Sequence, residues 1–108
     1  MITAQEAKRL SDKNCEAKIK KAEEWARGEL EYIEDSIQRA IEEGKHGTDY
    51  WWSHGILEEA GIQLGMAAHV LKIIFNELGY DIYCDWSAVT QECDDFVFRI
   101  IINWENAK

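Results

Sequence analysis

The sequence has no proline, few cysteines and no long apolar run. Average usage would give about five prolines per hundred residues, and no stretch rich in serine, glycine or proline marks a linker. We therefore predict a single domain over residues 1–108. The start, MITAQEAKRL, is charged, and no apolar run approaches about 18 residues, so we expect neither a signal peptide nor a membrane span. These features favour a cytosolic protein with no membrane partner.

The cysteines and histidines are too few and too widely spaced for a disulfide framework or a typical zinc site. Cys15, Cys84 and Cys93 form an odd set without a Cys-x-x-Cys pair, which favours reduced thiols, although a hairpin could bring Cys84 and Cys93 into bridging distance. His46 and His54 could join the last two cysteines as zinc ligands. None of these residues has the short spacing of structural zinc sites, so we predict no metal and no cofactor.

Basic residues are also scarce, because 12 lysines and arginines face 21 acidic residues. The net charge is −3 for Met1 to His54 and −6 for Gly55 to Lys108. Such a chain repels phosphate backbones, which disfavours direct nucleic-acid binding unless a local basic run supplies it. That run consists of Lys8, Arg9, Lys13, Lys18, Lys20 and Lys21.

A long helix is predicted for the N-terminal part of the chain. Thr3 and Glu6 form a capping box, and Gly44 can end the helix. Residues 11–14 include side chains that compete for backbone hydrogen bonds, so the helix is either continuous or broken there. Apolar residues at helical spacing are Ile19, Ala22, Ala26, Leu30, Ile33, Ile37 and Ala40 or Ile41.

The next segment predicts a short strand near residues 48–53 and a continuous buried helix over 55–78. A helical turn is the alternative for the strand. The helix carries Leu57, Ala60, Leu64, Ala67, Leu71, Ile74 and Leu78 at alternating spacings of three and four. A second apolar stripe of Ile62, Met66, Val70 and Ile73 predicts that two sides of this helix need covering. We therefore expect a homo-oligomer, with a dimer as the commonest closed form.

Residues 80–86 and 95–104 alternate in polarity and predict an antiparallel hairpin that begins after a helix end at Gly79. Setting Ile82 opposite Phe98 would place the apolar residues of both strands on one face, with a loop over residues 87–94. Together with the helices, this gives a fold of the α+β class.

Catalytic motifs are absent from the sequence, so we predict that the protein is not an enzyme, with a small hydrolase as the least favoured alternative. Five tryptophans are more than a core of this size needs, and tryptophan is common at interface anchors. We assign Trp25 and Trp104 to packing. The predicted binding residues are Tyr50, Trp51, Trp52, His54, Trp86, His69 and Lys72.

Two further patterns lie on the central helix. A polar stripe is either solvated or the wall of a polar pocket, and it contains Glu58, Gly65, His69, Lys72 and Asn76. A patch of small residues allows close approach of another backbone, for which packing against the first helix is the expected use. It contains Gly61, Gly65 and Ala68.

Several sequence features occur together: ITAQEAKRLS at the start, Glu-Glu-Gly44 after a helix, LxxxFNELGYDI before a hairpin, and a terminal Trp104. In this order the chain resembles small accessory proteins of tailed bacteriophages. The resemblance implies a product acting in the host bacterial cytoplasm, and it transfers no functional residue. We hypothesise that the protein inhibits a host defence or host factor by binding a protein or by sequestering a small signalling molecule. The alternative is a virion or assembly component.

Overall fold

A computed structural model of the chain describes residues 1–88 and 96–107, without the side chains of His54, Phe96 and residues 86–88. It confirms the α+β class. The elements are α1 (Ala4–Glu42), β1 (Gly47–Ser53), α2 (His54–Glu59), α3 (Leu64–Glu77), β2 (Asp81–Ala88) and β3 (Phe96–Asn103). In this described part, no helix is both long enough and apolar enough to cross a membrane.

Helix α1 is continuous over 39 residues, so the alternative of a break near residues 11–14 is wrong. The Thr3 side chain accepts a hydrogen bond from the Glu6 amide at 3.2 Å, as the capping box predicts. Lys8 and Asp12, one turn apart, form an ion pair of 2.9 Å over the weakest stretch. Residues of low helix propensity at positions 11–14 do not interrupt the helix, because helical segments precede and follow them and extending a helix is easier than starting one.

The prediction of a continuous helix over residues 55–78 is wrong, because the chain turns at Gly61 with φ of +71°. The Ile62 amide donates to the Leu57 carbonyl at 2.9 Å, and the Gly61 amide donates to the Glu58 carbonyl at 3.0 Å. These two bonds form a Schellman motif, which requires the left-handed conformation that glycine adopts without strain. The apolar spacing stays in phase across the turn, which is why it predicted a single helix.

Because of this turn, the second apolar stripe no longer argues for a partner subunit. Ile62 and Val70 are buried in the core of the chain itself, and Met66 is partly buried against it. Ile73 is the one member of that stripe that is exposed. The expectation of a homo-oligomer therefore loses its original basis.

The three strands form one antiparallel sheet in the order β1-β3-β2. The strand near residues 48–53 and the C-terminal hairpin are confirmed. The register differs from the expected one, because Ile82 pairs with Ile102 and Phe98 pairs with Trp86. The shift is an even number of residues and so leaves the faces unchanged. Of the expected loop over 87–94, residues 89–94 lie outside the described set.

The helices pack on one face of the sheet, and the buried hydrophobic side chains other than Ala40 form a single cluster between them. Trp25 of α1 contacts Trp52 of β1 with ring centroids 5.2 Å apart, and Trp104 contacts Tyr80 at 6.0 Å. The packing roles predicted for Trp25 and Trp104 are confirmed. The fully buried large residues are Phe98, Ile33, Leu57, Leu71, Ile100 and Ile102.

The N-terminal part of α1 extends beyond this core. Residues 1–18 are all exposed, and the first buried residue of the helix is Ala22. At a rise of about 1.5 Å per residue, the helical residues 4–18 project about 22 Å past the body. We call residues 4–18 the arm.

Candidate binding surface

The sheet has a second face on which no described helix packs, and we call it the outer face. Side chains alternate between the two faces along a strand. Phe98 and Ile100 of β3 are buried under the helices, and so the residues that pair with them on β1 and β2 face the helices as well. The residues that precede and follow Phe98 and Ile100 in the sequence lie on the outer face. Two rows cross the outer face through the strand pairing. The first row is Trp51, Arg99 and Asp85, and the second is Asp49, Ile101 and Tyr83.

Large apolar side chains on the outer face are open to solvent. Trp51 is 60% exposed and Tyr83 is 62% exposed, on the two edge strands, and Ile101 is exposed between them. Exposed aromatic residues grouped around an aliphatic one are typical of protein contact surfaces, whereas single exposed apolar residues are common everywhere. The outer face is therefore the best candidate binding surface among the described residues.

An ion pair lies in the first row of this face. The Nη2 atom of Arg99 donates to Oδ2 of Asp85 at 2.9 Å, and this hydrogen bond raises the pKa of Arg99 above its usual value. Arg99 Nε and Asp85 Oδ1 are shielded from solvent and make no hydrogen bond. Trp51 is the direct neighbour of Arg99 on the other edge strand, and direct cross-strand neighbours have Cβ atoms about 5 Å apart.

The predicted contact role of Trp52 is wrong, and Tyr50 lies beside Trp52 on the inner face of the sheet. Trp52 is 5% exposed, stacks on Phe98 at 5.6 Å and donates from Nε1 to Glu29 Oε2 at 3.1 Å. Tyr50 is half-buried beside it at 4.9 Å, and burial raises its pKa, with the Glu29 charge as the next cause. Alternation places these two residues on the inner face, so of the three neighbouring aromatic residues only Trp51 reaches the outer face.

His69 and Lys72 are exposed on α3, on the helical side of the sheet and away from Trp51. His69 lines a groove of about 230 Å³ between α1 and α3. That volume is below the range of about 300 to 1,000 Å³ of usual small-molecule pockets. The predicted polar stripe is thus solvated for the most part. The side chains of His54 and Trp86 lie outside the described set.

The larger cleft, of about 430 Å³, lies at the turn between α2 and α3. Glu58 is its one ionisable lining residue. In the small-residue patch, Gly61 approaches the Lys21 side chain of α1, and Ala68 is buried. Gly65, in contrast, faces open space. The patch therefore contributes to internal packing at two of its three positions.

The described residues include no cluster of metal ligands. No three of their histidine, cysteine, aspartate and glutamate side chains come together as metal ligands would. Cys15 and Cys84 are free thiols, and Cys93 lies outside the described residues. The pKa of Cys84 is raised by burial, whereas the nearby Lys72 acts in the opposite direction.

Sequence reasoning missed Tyr83, Ile101, Arg99 and Asp85 as possible contact residues. The alternation of β2 had placed Tyr83 opposite the apolar face, and that of β3 had done the same for Arg99 and Ile101. What was missing was the pairing of β1 with β3, which brings Trp51 into the same face. Comparisons with protein-family models, curated proteins and solved structures found no match to this chain.

Proposed function

We propose that the protein acts by binding a basic partner protein on the outer face of its sheet. The observation that carries this proposal is the group formed by Trp51, Tyr83 and Ile101, which are exposed together on a face against which no described helix packs. Aromatic side chains supply much of the energy at protein interfaces because they bury a large area with few rotatable bonds.

The charge of the outer face favours a cationic partner. Asp49, Asp81 and Asp85 lie on it by strand alternation, and Arg99 is paired with Asp85. A lysine or arginine of the partner can interact with a carboxylate and with the ring of Trp51 or Tyr83. The overall charge of −9 would also speed the encounter with a basic protein.

A protein partner fits this surface better than a small signalling molecule does. The outer face is an open sheet, whereas small ligands usually occupy concave pockets that bury most of their surface. The clefts described above lie on the helical side and at the turn between α2 and α3, away from the exposed aromatic residues.

The resemblance to tailed-bacteriophage accessory proteins supports a role in the host cytoplasm. Under this proposal, the protein inhibits a host defence or another host factor by occupying a basic surface on it. The protein acts without catalysis, because blocking a surface requires affinity alone.

The test is affinity capture from host lysate with the wild-type protein, with Trp51→Ala and with Ile73→Ala as the matched control. Ile73 is an exposed aliphatic residue on α3, away from the outer face. We expect a basic protein to be retained by wild type and by Ile73→Ala. With the purified partner, Trp51→Ala should weaken binding by about 2 kcal/mol, or roughly 30-fold in Kd. The wild-type affinity should fall as salt is added.

Equal affinities of wild type and Trp51→Ala for the retained partner would reject the outer face as the binding surface. A small molecule that accompanies the protein in native mass spectrometry would favour sequestration instead. Stoichiometric amounts of the protein in purified virions would favour the assembly component.

A further inference from the structure

The long helix α1 has two halves of opposite charge. Residues 1–21 contain six basic and three acidic residues, a net charge of +3. Residues 22–43 contain two basic and eight acidic residues, a net charge of −6. The basic half includes the arm, whose residues are all exposed, and the acidic half carries the buried residues with which α1 packs against the body.

Six of these charged side chains lie in one line along the exposed side of α1, with Glu6 and Glu42 near its two ends. The four central ones are Lys13, Lys20, Glu24 and Glu31, and at 100° per residue they fall within about 40° of one another. All four are exposed, with the lysines in the basic half and the glutamates in the acidic half. The two residues of each pair are seven positions apart, so each pair spans two helical turns.

Two large apolar side chains to one side of this line are exposed. Leu10 in the arm is 42% exposed, and Tyr32 in the acidic half is 57% exposed. They also share a face, because they are about 40° apart around the helix. An apolar residue is therefore available to an approaching helix in each half.

We propose that a second copy of the chain docks antiparallel along α1, with the basic half of each copy against the acidic half of the other. This alignment sets Lys13 opposite the partner's Glu31 and Lys20 opposite the partner's Glu24. The same alignment brings Leu10 close to the partner's Tyr32. A parallel alignment would instead place like charges side by side, which is unfavourable.

The antiparallel arrangement is closed, because each contact occurs twice about a two-fold axis and no interface is left for a third copy. It also covers the arm. A helical segment of about 15 residues is only marginally stable in water by itself, so the acidic half of the partner would stabilise it. This interface does not involve the outer face, so it is independent of the proposed function.

The first measurement is the mass of the full-length protein by light scattering. At low ionic strength and hundreds of micromolar protein, we expect twice the chain mass of 12.5 kDa. High salt should shift the mass toward 12.5 kDa, because exposed charges are screened within about 3 Å at 1 M salt. A wild-type protein that stays at the mass of one chain under the first condition would overturn the proposal.

Charge reversal then tests the alignment itself. Lys13→Glu with Lys20→Glu, and separately Glu24→Lys with Glu31→Lys, should each give single chains whose circular dichroism spectra still show a folded α+β domain. An equimolar mixture of the two double variants should restore the doubled mass, because every pair in the mixed dimer is again of opposite charge. Trp51→Ala is the matched control, which we expect to leave the mass unchanged.

Three results would reject this interface. The first is a doubled mass in both double variants alone, and the second is the failure of their mixture to associate. The third is a complex of one chain with a short duplex or single-stranded nucleic acid at the salt concentration that gives the doubled mass, because the arm would then have another occupant.

Discussion

The contrast between two neighbouring tryptophans gives the sharpest test of the sheet. Trp52 is 5% exposed and contacts the rings of Trp25, Tyr50 and Phe98 at 4.9 to 5.6 Å. Trp51, the adjacent residue, is 60% exposed on the other face. Alanine at the two positions should therefore affect different properties of the protein.

For Trp52→Ala, the loss of a buried tryptophan costs about 3 to 5 kcal/mol. The hydrogen bond to Glu29 adds about 0.5 to 1 kcal/mol, since that carboxylate is partly open to water. A total of about 4 kcal/mol is a large fraction of the 5 to 15 kcal/mol that holds a domain folded. The melting temperature should fall by roughly 15 °C or more. Trp51→Ala should change the free energy of unfolding by less than about 0.5 kcal/mol.

The assay is urea unfolding followed by far-ultraviolet circular dichroism, because each variant lacks one of the fluorescent tryptophans. All samples are compared at one protein concentration, so that any self-association affects them equally. Similar losses of stability in the two variants would refute the assignment of Trp52 to the inner face and Trp51 to the outer face.

Three other predictions concern the turn, the thiols and the buried tyrosine. Gly61→Ala should destabilise the fold by about 1 to 2 kcal/mol, because residue 61 has a positive φ. Gly65→Ala should stabilise the fold by up to about 1 kcal/mol, because residue 65 is helical and has open space around it. Thermal unfolding measures both changes. Iodoacetamide should label the exposed Cys15 faster than Cys84, because burial raises the pKa of the Cys84 thiol. Peptide mass mapping gives the two labelling rates, and equal rates would contradict the burial of Cys84. The pKa of Tyr50 lies above its usual 10.0 in the folded protein. The stability that Tyr50 contributes is therefore complete below pH 10 and is lost as the pH rises through the folded-state pKa. Ultraviolet titration of wild type against Tyr50→Phe should show this late ionisation.

Local signals in the sequence predicted most elements of the fold. The cap at Thr3, the glycines after two helices and the alternation of the hairpin each depend on residues close together in the chain, so their meaning does not require the tertiary structure. The break at Gly61 also had a local signal. A glycine followed by an apolar residue also ends α3 through a Schellman motif, at Gly79 and Tyr80, but the unbroken apolar spacing outweighed this signal at Gly61 and Ile62 in the prediction.

The burial of the aromatic residues could not be predicted in the same way. Alternation shows that Trp51 and Trp52 face opposite sides, but it does not say which side is covered. That choice depends on the pairing of Trp52 with Phe98, which is 46 positions away in the sequence, and on the contact with Trp25 of the first helix. The outer face joins residues of three strands and so becomes visible only when the strand order is known.

The projecting arm has a consequence for how this molecule moves through water. With its arm, the described part of the chain measures 60 by 41 by 21 Å and has a radius of gyration of 16.6 Å, whereas a compact chain of this length would have about 13 Å. Such an elongated particle experiences more friction than a sphere of equal mass, so it sediments more slowly and elutes from a sizing column earlier. A single chain calibrated against globular standards would therefore pass for a heavier species, and two chains with their arms laid along each other would have less excess friction for their mass than one chain alone.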